Sequence, residues 1–193
     1  MWGGGYWFQN TRLSYWSMLY SGDYNLMRPL FSMFLNSLPL ARERPRIYCN
    51  HAVAFHPETQ CFWGTYHDSN YGRDREGRDN GWTLNTYIRY YWSGGLELAM
   101  MLLDYHAHTQ DEAFVRQVLL PLESEILTFF DRHWERDEEG VIHFDPAESL
   151  ETYHQAVNPL PEIAGIQSVV KRTLTLPEHL TTCRQRQDWQ RLL

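Results

Sequence analysis

Leu96-Glu97-Leu98-Ala99-Met100-Met101-Leu102-Leu103 is the stretch on which the fold turns. Wound into an α-helix, it is apolar on nearly every side, and a helix without a polar face must be enclosed by other elements. It forms the second half of a helix expected over residues 83–108, with Gly94-Gly95 in the middle permitting a bend or a close approach. The segment that follows is of the other kind. After Thr109-Gln110-Asp111 a short helix is expected to about Leu120, and Pro121 opens another. There Leu122, Ile126, Phe129 or Phe130 and His133 make an apolar stripe, opposite Glu123, Glu125 and Arg132.

The same alternation extends in both directions. Upstream, a short aromatic helix over 11–20 follows Asn10, which is an N-cap candidate. Ser21-Gly22-Asp23 forms a turn, and Asp23 caps a helix to about Arg44 in which Leu26, Leu30, Phe34 and Leu38 recur on one face. Pro29 and Pro39 mark boundaries or kinks in it. Downstream, Asp137-Glu138-Glu139-Gly140 is a turn and 141–144 a short strand. Asn158-Pro159-Leu160-Pro161 then opens a helix carrying Ile163, Ile166, Val170 and Leu174, and Pro177-Glu178 opens a last one. Enclosed and amphipathic helices alternate, joined by long polar-aromatic loops. We therefore expect an all-α fold, a partial (α/α)6 toroid of inner and outer helices. Residues 1–193 would form one incomplete domain, about half of the toroid, whose first partner is the remainder of its own barrel. A helical solenoid would need a fixed repeat of roughly 34 to 47 residues, which the long loops break.

Composition narrows the partners. A net charge of -7 and pI near 5.7 argue against nucleic acid or an anionic membrane surface, since both draw affinity from clustered Lys and Arg. No apolar run is long enough to span a membrane. Cys49, Cys61 and Cys183 show no metal-ligand spacing, so no metal and no cofactor is expected. Free thiols are the expectation for them, with a Cys49–Cys61 disulfide as the alternative. His106-x-His108 lacks the spacing of helical metal ligands. Eight Trp and twelve Tyr bring the aromatic share to 15%. Such side chains offer a flat apolar face with a polar rim, which suits either a sugar ring or an aromatic core. Residues 45–82 lose the helical period and mix Glu58, Trp63, Asn80 and Trp82 with several glycines, a composition fit for the wall of a carbohydrate cleft. Residues 145–161 gather Glu148, Glu151, Tyr153 and His154 in another loop, where proton transfer is best placed.

Three segments resemble one known family and occur in that family's order. Trp7-Phe8-Gln9-Asn10-Thr11-Arg12-Leu13-Ser14-Tyr15-Trp16 resembles the Asn-x-Asn segment, ending in Tyr-Trp, of six-hairpin (α/α)6-barrel glycoside hydrolases. The nearest of these is the α-1,2-L-fucosidase-type family with its uncharacterised bacterial relatives. Pro57-Glu58-Thr59 with Trp63-Gly64 is similar to a sugar-binding loop there, and Pro146-Ala147-Glu148-Ser149-Leu150-Glu151-Thr152 to the segment bearing the general acid. The resemblance implies inverting hydrolysis of a carbohydrate substrate and an extracytoplasmic location. It assigns the acid to Glu151 and a water-orienting amide to Asn10. Trp7, Arg12, Glu58, Trp63, Asn80, Trp82, Tyr153 and His154 become the candidate sugar contacts. Phe8 stands where the family has the first Asn, and the family's Asp-bearing motif has no counterpart in these residues. Two alternatives stay open: a carbohydrate-binding protein of the same fold without turnover, and a helical interaction module whose aromatic loops are core.

Overall fold

The computed structural model describes residues 5–64, 72, 74–79, 82–149 and 152–193. The architecture is all-α with two small antiparallel strand pairings: β1 Tyr6–Trp7, α1 Phe8–Ser21, α2 Tyr24–Tyr48, β2 Thr59–Gln60, α3 Gly94–Thr109, α4 Glu112–Phe114, a π turn Val115–Leu119, α5 Leu120–His133, β3 Ala147–Ser149, β4 Tyr153–Ala156, α6 Leu160–Thr173, a 3-10 turn Glu178–Leu180 and α7 Cys183–Gln190. Among the described residues no helix is long and apolar enough to cross a membrane.

As its composition requires, α3 is enclosed: Leu98, Ala99 and Leu102 are fully buried. It lies between α1 and α6 and rests on α5, while α2 packs against both α1 and α5. The helix begins at Gly94, eleven residues later than periodicity suggests, because its first turn is wedged between neighbours. A Cβ on Gly94 would stand 3.2 Å from the Phe8 ring and 3.4 Å from the His56 carbonyl, and one on Gly95 3.2 Å from Ile126. The two glycines thus serve close approach, while Tyr90 and Trp92 of the preceding segment bond to the hairpin β3–β4 instead of a helical neighbour.

Several boundaries are set by contacts distant in sequence. Helix α1 starts at Phe8, so Asn10 is helical and is not its N-cap. The opening N–H groups are instead satisfied from Glu58, whose carbonyl accepts from Phe8 N at 3.2 Å and whose carboxylate accepts from Gln9 N at 3.1 Å. β1 pairs with β2 beside this cap, Tyr6 opposite Gln60 and Trp7 opposite Thr59. Helix α2 runs unbroken through Pro29, Pro39 and Pro45, and Asp23 precedes it without a side-chain cap bond. Proline cannot donate to the carbonyl four residues back. For Pro45 that carbonyl is Ala41, and it accepts from Phe55 N at 3.1 Å. The freed acceptor docks the returning chain, so residues 53–61 are buried and do not form an open loop wall.

The break expected before Pro121 is absent: α4, the π turn and α5 run on continuously. The widened turn lies directly ahead of Pro121 and accommodates a ring that would otherwise crowd the carbonyl four residues back. Glu123, assigned by periodicity to the water-facing side of α5, is fully buried against Thr173 of α6. Residues 141–144 contribute only an isolated Arg136–Ile142 bridge, and the strands lie farther on, in β3 and β4. Pro161 opens α6 as expected. The last segment is split, with α7 starting at a capping box made by Thr182 and Gln185. Cys49, Cys61 and Cys183 are thiols, as expected.

Candidate active-site rim

Four segments converge at the N-terminal end of α3. The start of α1 supplies Gln9, Asn10 and Arg12. The chain before β2 supplies Glu58, the run before α3 supplies Tyr87, Tyr90 and Tyr91, and the hairpin β3–β4 supplies Glu148 and His154. The trans-cap described above fixes Glu58 in place, 3% exposed. Arg12 donates from Nη1 to Glu97 Oε1 at 2.6 Å, and the Tyr91 hydroxyl reaches the same oxygen at 3.5 Å. Burial opposes the Arg12 charge, but the hydrogen bond and field of Glu97 outweigh it and raise its pKa. Tyr91 is raised well above the ordinary phenol value, first by burial and then by the negative fields of Glu58 and Glu97. It is therefore a neutral donor at any physiological pH.

The second carboxylate sits across the Tyr90–Tyr91 step. Glu148 N donates to the Tyr90 carbonyl at 2.8 Å, and the Trp92 indole donates to the Pro146 carbonyl at 2.9 Å, which ties the hairpin to the α3 entry. The Glu148 side chain is 3% exposed and meets His154 Nδ1 at 2.6 Å, while His154 itself is open to solvent. Its ring lies 5.3 Å from that of Tyr87. A buried carboxylate paired to an exposed imidazole can pass or hold a proton at the surface of a cleft. Next to Arg12 a hollow of about 370 Å³ is lined by Trp16, Tyr91, Glu97, Met100 and Asp104, with the Arg12 guanidinium 5.9 Å from the Trp16 ring.

The candidate residues divide clearly. Trp7, Arg12 and Glu58 come together at the start of α1, while Asn10, two residues from both Phe8 and Arg12 on the helix, is exposed. Tyr153 and His154 lie on the neighbouring hairpin, both exposed. Trp63 is not with them: it lines a separate hollow of about 460 Å³ with Tyr15, Met33, Asn36 and Phe62. Trp82 borders a third, of about 270 Å³, beside Tyr48, Phe55 and Trp92. Guanidiniums surround it, Arg78 at 4.6 Å, Arg89 at 5.5 Å and Arg75 at 5.7 Å from the ring, within cation–π range. Glu151 and Asn80 lie outside the described residues. Sequence reasoning passed over Tyr91 and Glu97, although Glu97 is the one charge in its apolar run, and it set Glu148 aside in favour of Glu151. It also missed the approach of Cys49 and His51 to His133, residues far apart in sequence. Comparison of the chain with protein-family models and with curated proteins gives no match in either.

Proposed function

We propose that the chain is about half of the (α/α)6 catalytic barrel of a glycoside hydrolase and that it takes part in inverting cleavage of a glycosidic bond at the α3 rim. The observation that carries this reading is that two buried glutamates are held at consecutive residues: Glu58 acts electrostatically on Tyr91, and the Glu148 backbone N–H donates to the Tyr90 carbonyl while its carboxylate meets His154. The helix order supports the toroid. α1, α3 and α6 adjoin one another in sequence as an inner row would, with α2 and α5 behind them. Exposed apolar groups on the inner row, Leu13, Trp16 and Tyr20 of α1 and Leu160 and Ile163 of α6, are the faces that further barrel helices would cover. In this reading Glu151, two residues beyond the end of β3, protonates the leaving oxygen. Asn10 orients the attacking water, and Arg12 with Tyr91 holds sugar hydroxyls. The base comes from the remainder of the barrel.

A second reading, sugar binding without turnover, is favoured by Phe8. It is 2% exposed and stacked on Phe34 at 5.2 Å, so the position that aligns with a water-binding amide belongs to the core. Reducing-sugar release by the complete gene product from a mixed panel of aryl glycosides separates the two. For hydrolysis, Glu151→Gln lowers kcat by at least about 100-fold with little change in KM. Sugar binding with no release by the unaltered protein selects the second reading. Equal rates for the unaltered protein and Glu151→Gln remove Glu151 as the acid.

A further inference from the structure

The C-terminal ends of α2 and α5 meet at a cluster that the rim does not use. Cys49 and His51 follow Tyr48, the last residue of α2, and His133 closes α5. One ligand atom from each of the three lies within 4.8 Å of the others. We propose that Cys49, His51 and His133 form a zinc site that staples α2 to α5 and leaves the fourth coordination position open.

The geometry suits the ion. His51 Nε2 and His133 Nδ1 face each other at 3.4 Å. Two imidazole nitrogens on one tetrahedral zinc, each at about 2.0–2.1 Å, stand roughly 3.3–3.4 Å apart. The same separation is long for an N–H···N hydrogen bond.

The surroundings point the same way. Phe129 stacks on His133 at 4.6 Å and meets His51 edge-on at 5.4 Å, while Trp92 and Trp134 lie 4.6 Å and 4.5 Å from the His133 ring. These contacts hold the rings in fixed orientations, which limits the reorganisation that binding requires. Zinc displaces the Cys49 thiol proton to solvent as the Zn–S bond forms. One thiolate and two imidazoles are a borderline-soft donor set suited to zinc rather than to magnesium or calcium. Cys49 also borders the hollow of about 270 Å³ shared with Trp82 and Trp92, from which water or another small ligand can reach a fourth position.

Cobalt(II) reports on such a site directly, because thiolate ligation gives a charge-transfer band and tetrahedral geometry gives intense d–d bands. Protein stripped with chelator and titrated with Co²⁺ should develop both at one ion per chain, and Zn²⁺ should abolish them. Cys49→Ser should lose the charge-transfer band, while Cys183→Ser, altered at the exposed thiol, should keep it. His51→Ala and His133→Ala should each weaken zinc binding by more than the roughly tenfold that loss of an outer partner costs, with circular dichroism confirming that the variants fold. A charge-transfer band that survives Cys49→Ser, a stoichiometry unaffected by either histidine change, or no Co²⁺ binding by the folded protein would each overturn the assignment.

Discussion

Glu123→Gln should flatten the dependence of stability on pH, with the largest gain over the unaltered protein near pH 8. The Glu123 carboxyl is fully buried, and burial pushes its pKa from 4.5 up to about 8 against the opposing effects of Thr173 and Arg172. The hydrogen bonding agrees with a neutral acid. Thr173 Oγ1 has one proton and contacts both the Val169 carbonyl, at 2.8 Å, and Glu123 Oε1. The threonine can donate to only one of them, so it bonds Val169 and accepts the proton of Glu123. Below about pH 4.5 the carboxyl is protonated in both folded and unfolded chains and has no effect on the profile. Between pH 4.5 and about 8 the unfolded chain ionises while the folded one keeps its proton, so stability falls as pH rises. At about 1.4 kcal/mol per pH unit the loss accumulates to roughly 5 kcal/mol. A glutamine amide can donate to the same threonine oxygen and does not titrate. Urea unfolding of both proteins across this range should show curves that diverge with pH; parallel curves would mean that Glu123 ionises normally.

Gly64→Ala should destabilise the protein by about 3 kcal/mol or more, from left-handed backbone strain and overpacking together. Gly64 has φ of 100°, and a Cβ there would collide with Ser37 Cβ and lie 3.4 Å from Ser37 Cα. Ser37 cannot swing aside, since it is buried within α2 and its hydroxyl donates to the Phe34 carbonyl at 2.9 Å. The Gly64 N–H is committed as well, donating to the Cys61 carbonyl at 2.9 Å. For a chain of this size the melting temperature should drop by roughly 6–12 °C. Adding Ser37→Gly removes the opposing Cβ, so the double variant should recover more than about 1 kcal/mol relative to the sum of the single changes. Strict additivity would show that the turn moves away from α2.

These two positions illustrate what a linear reading can reach. Enclosure of α3 was legible because it depends on composition around one helix, and Leu98, Ala99 and Leu102 are buried as that composition requires. Glu123 was not, because its environment comes from Thr173 on another helix, and local periodicity assigned it to water. The start of α1 escaped for the same reason: its cap is Glu58, 49 residues away, while Asn10 is a plausible local substitute. The aromatic content pointed to both sugar platforms and core, and composition could not divide them. Trp82 turned out to be surrounded by arginines, and Trp63 to face its own hollow beside α2. Of the candidate site, the approach of Glu58 to the start of α1 joins two of the quoted motifs, whereas Tyr91 and Glu97 enter through packing of the α3 entry.

In the proposed function a single rim, at the N-terminal end of α3, meets the sugar. Hydrogen exchange followed by mass spectrometry, with and without millimolar mixed oligosaccharides, locates that contact. Added protection is expected in peptides covering the start of α1, Glu58 with β2, the Tyr87–Tyr91 segment and the hairpin β3–β4, all within one titration. Protection confined to the hollows around Trp63 or Trp82, with these four segments unchanged, would contradict it.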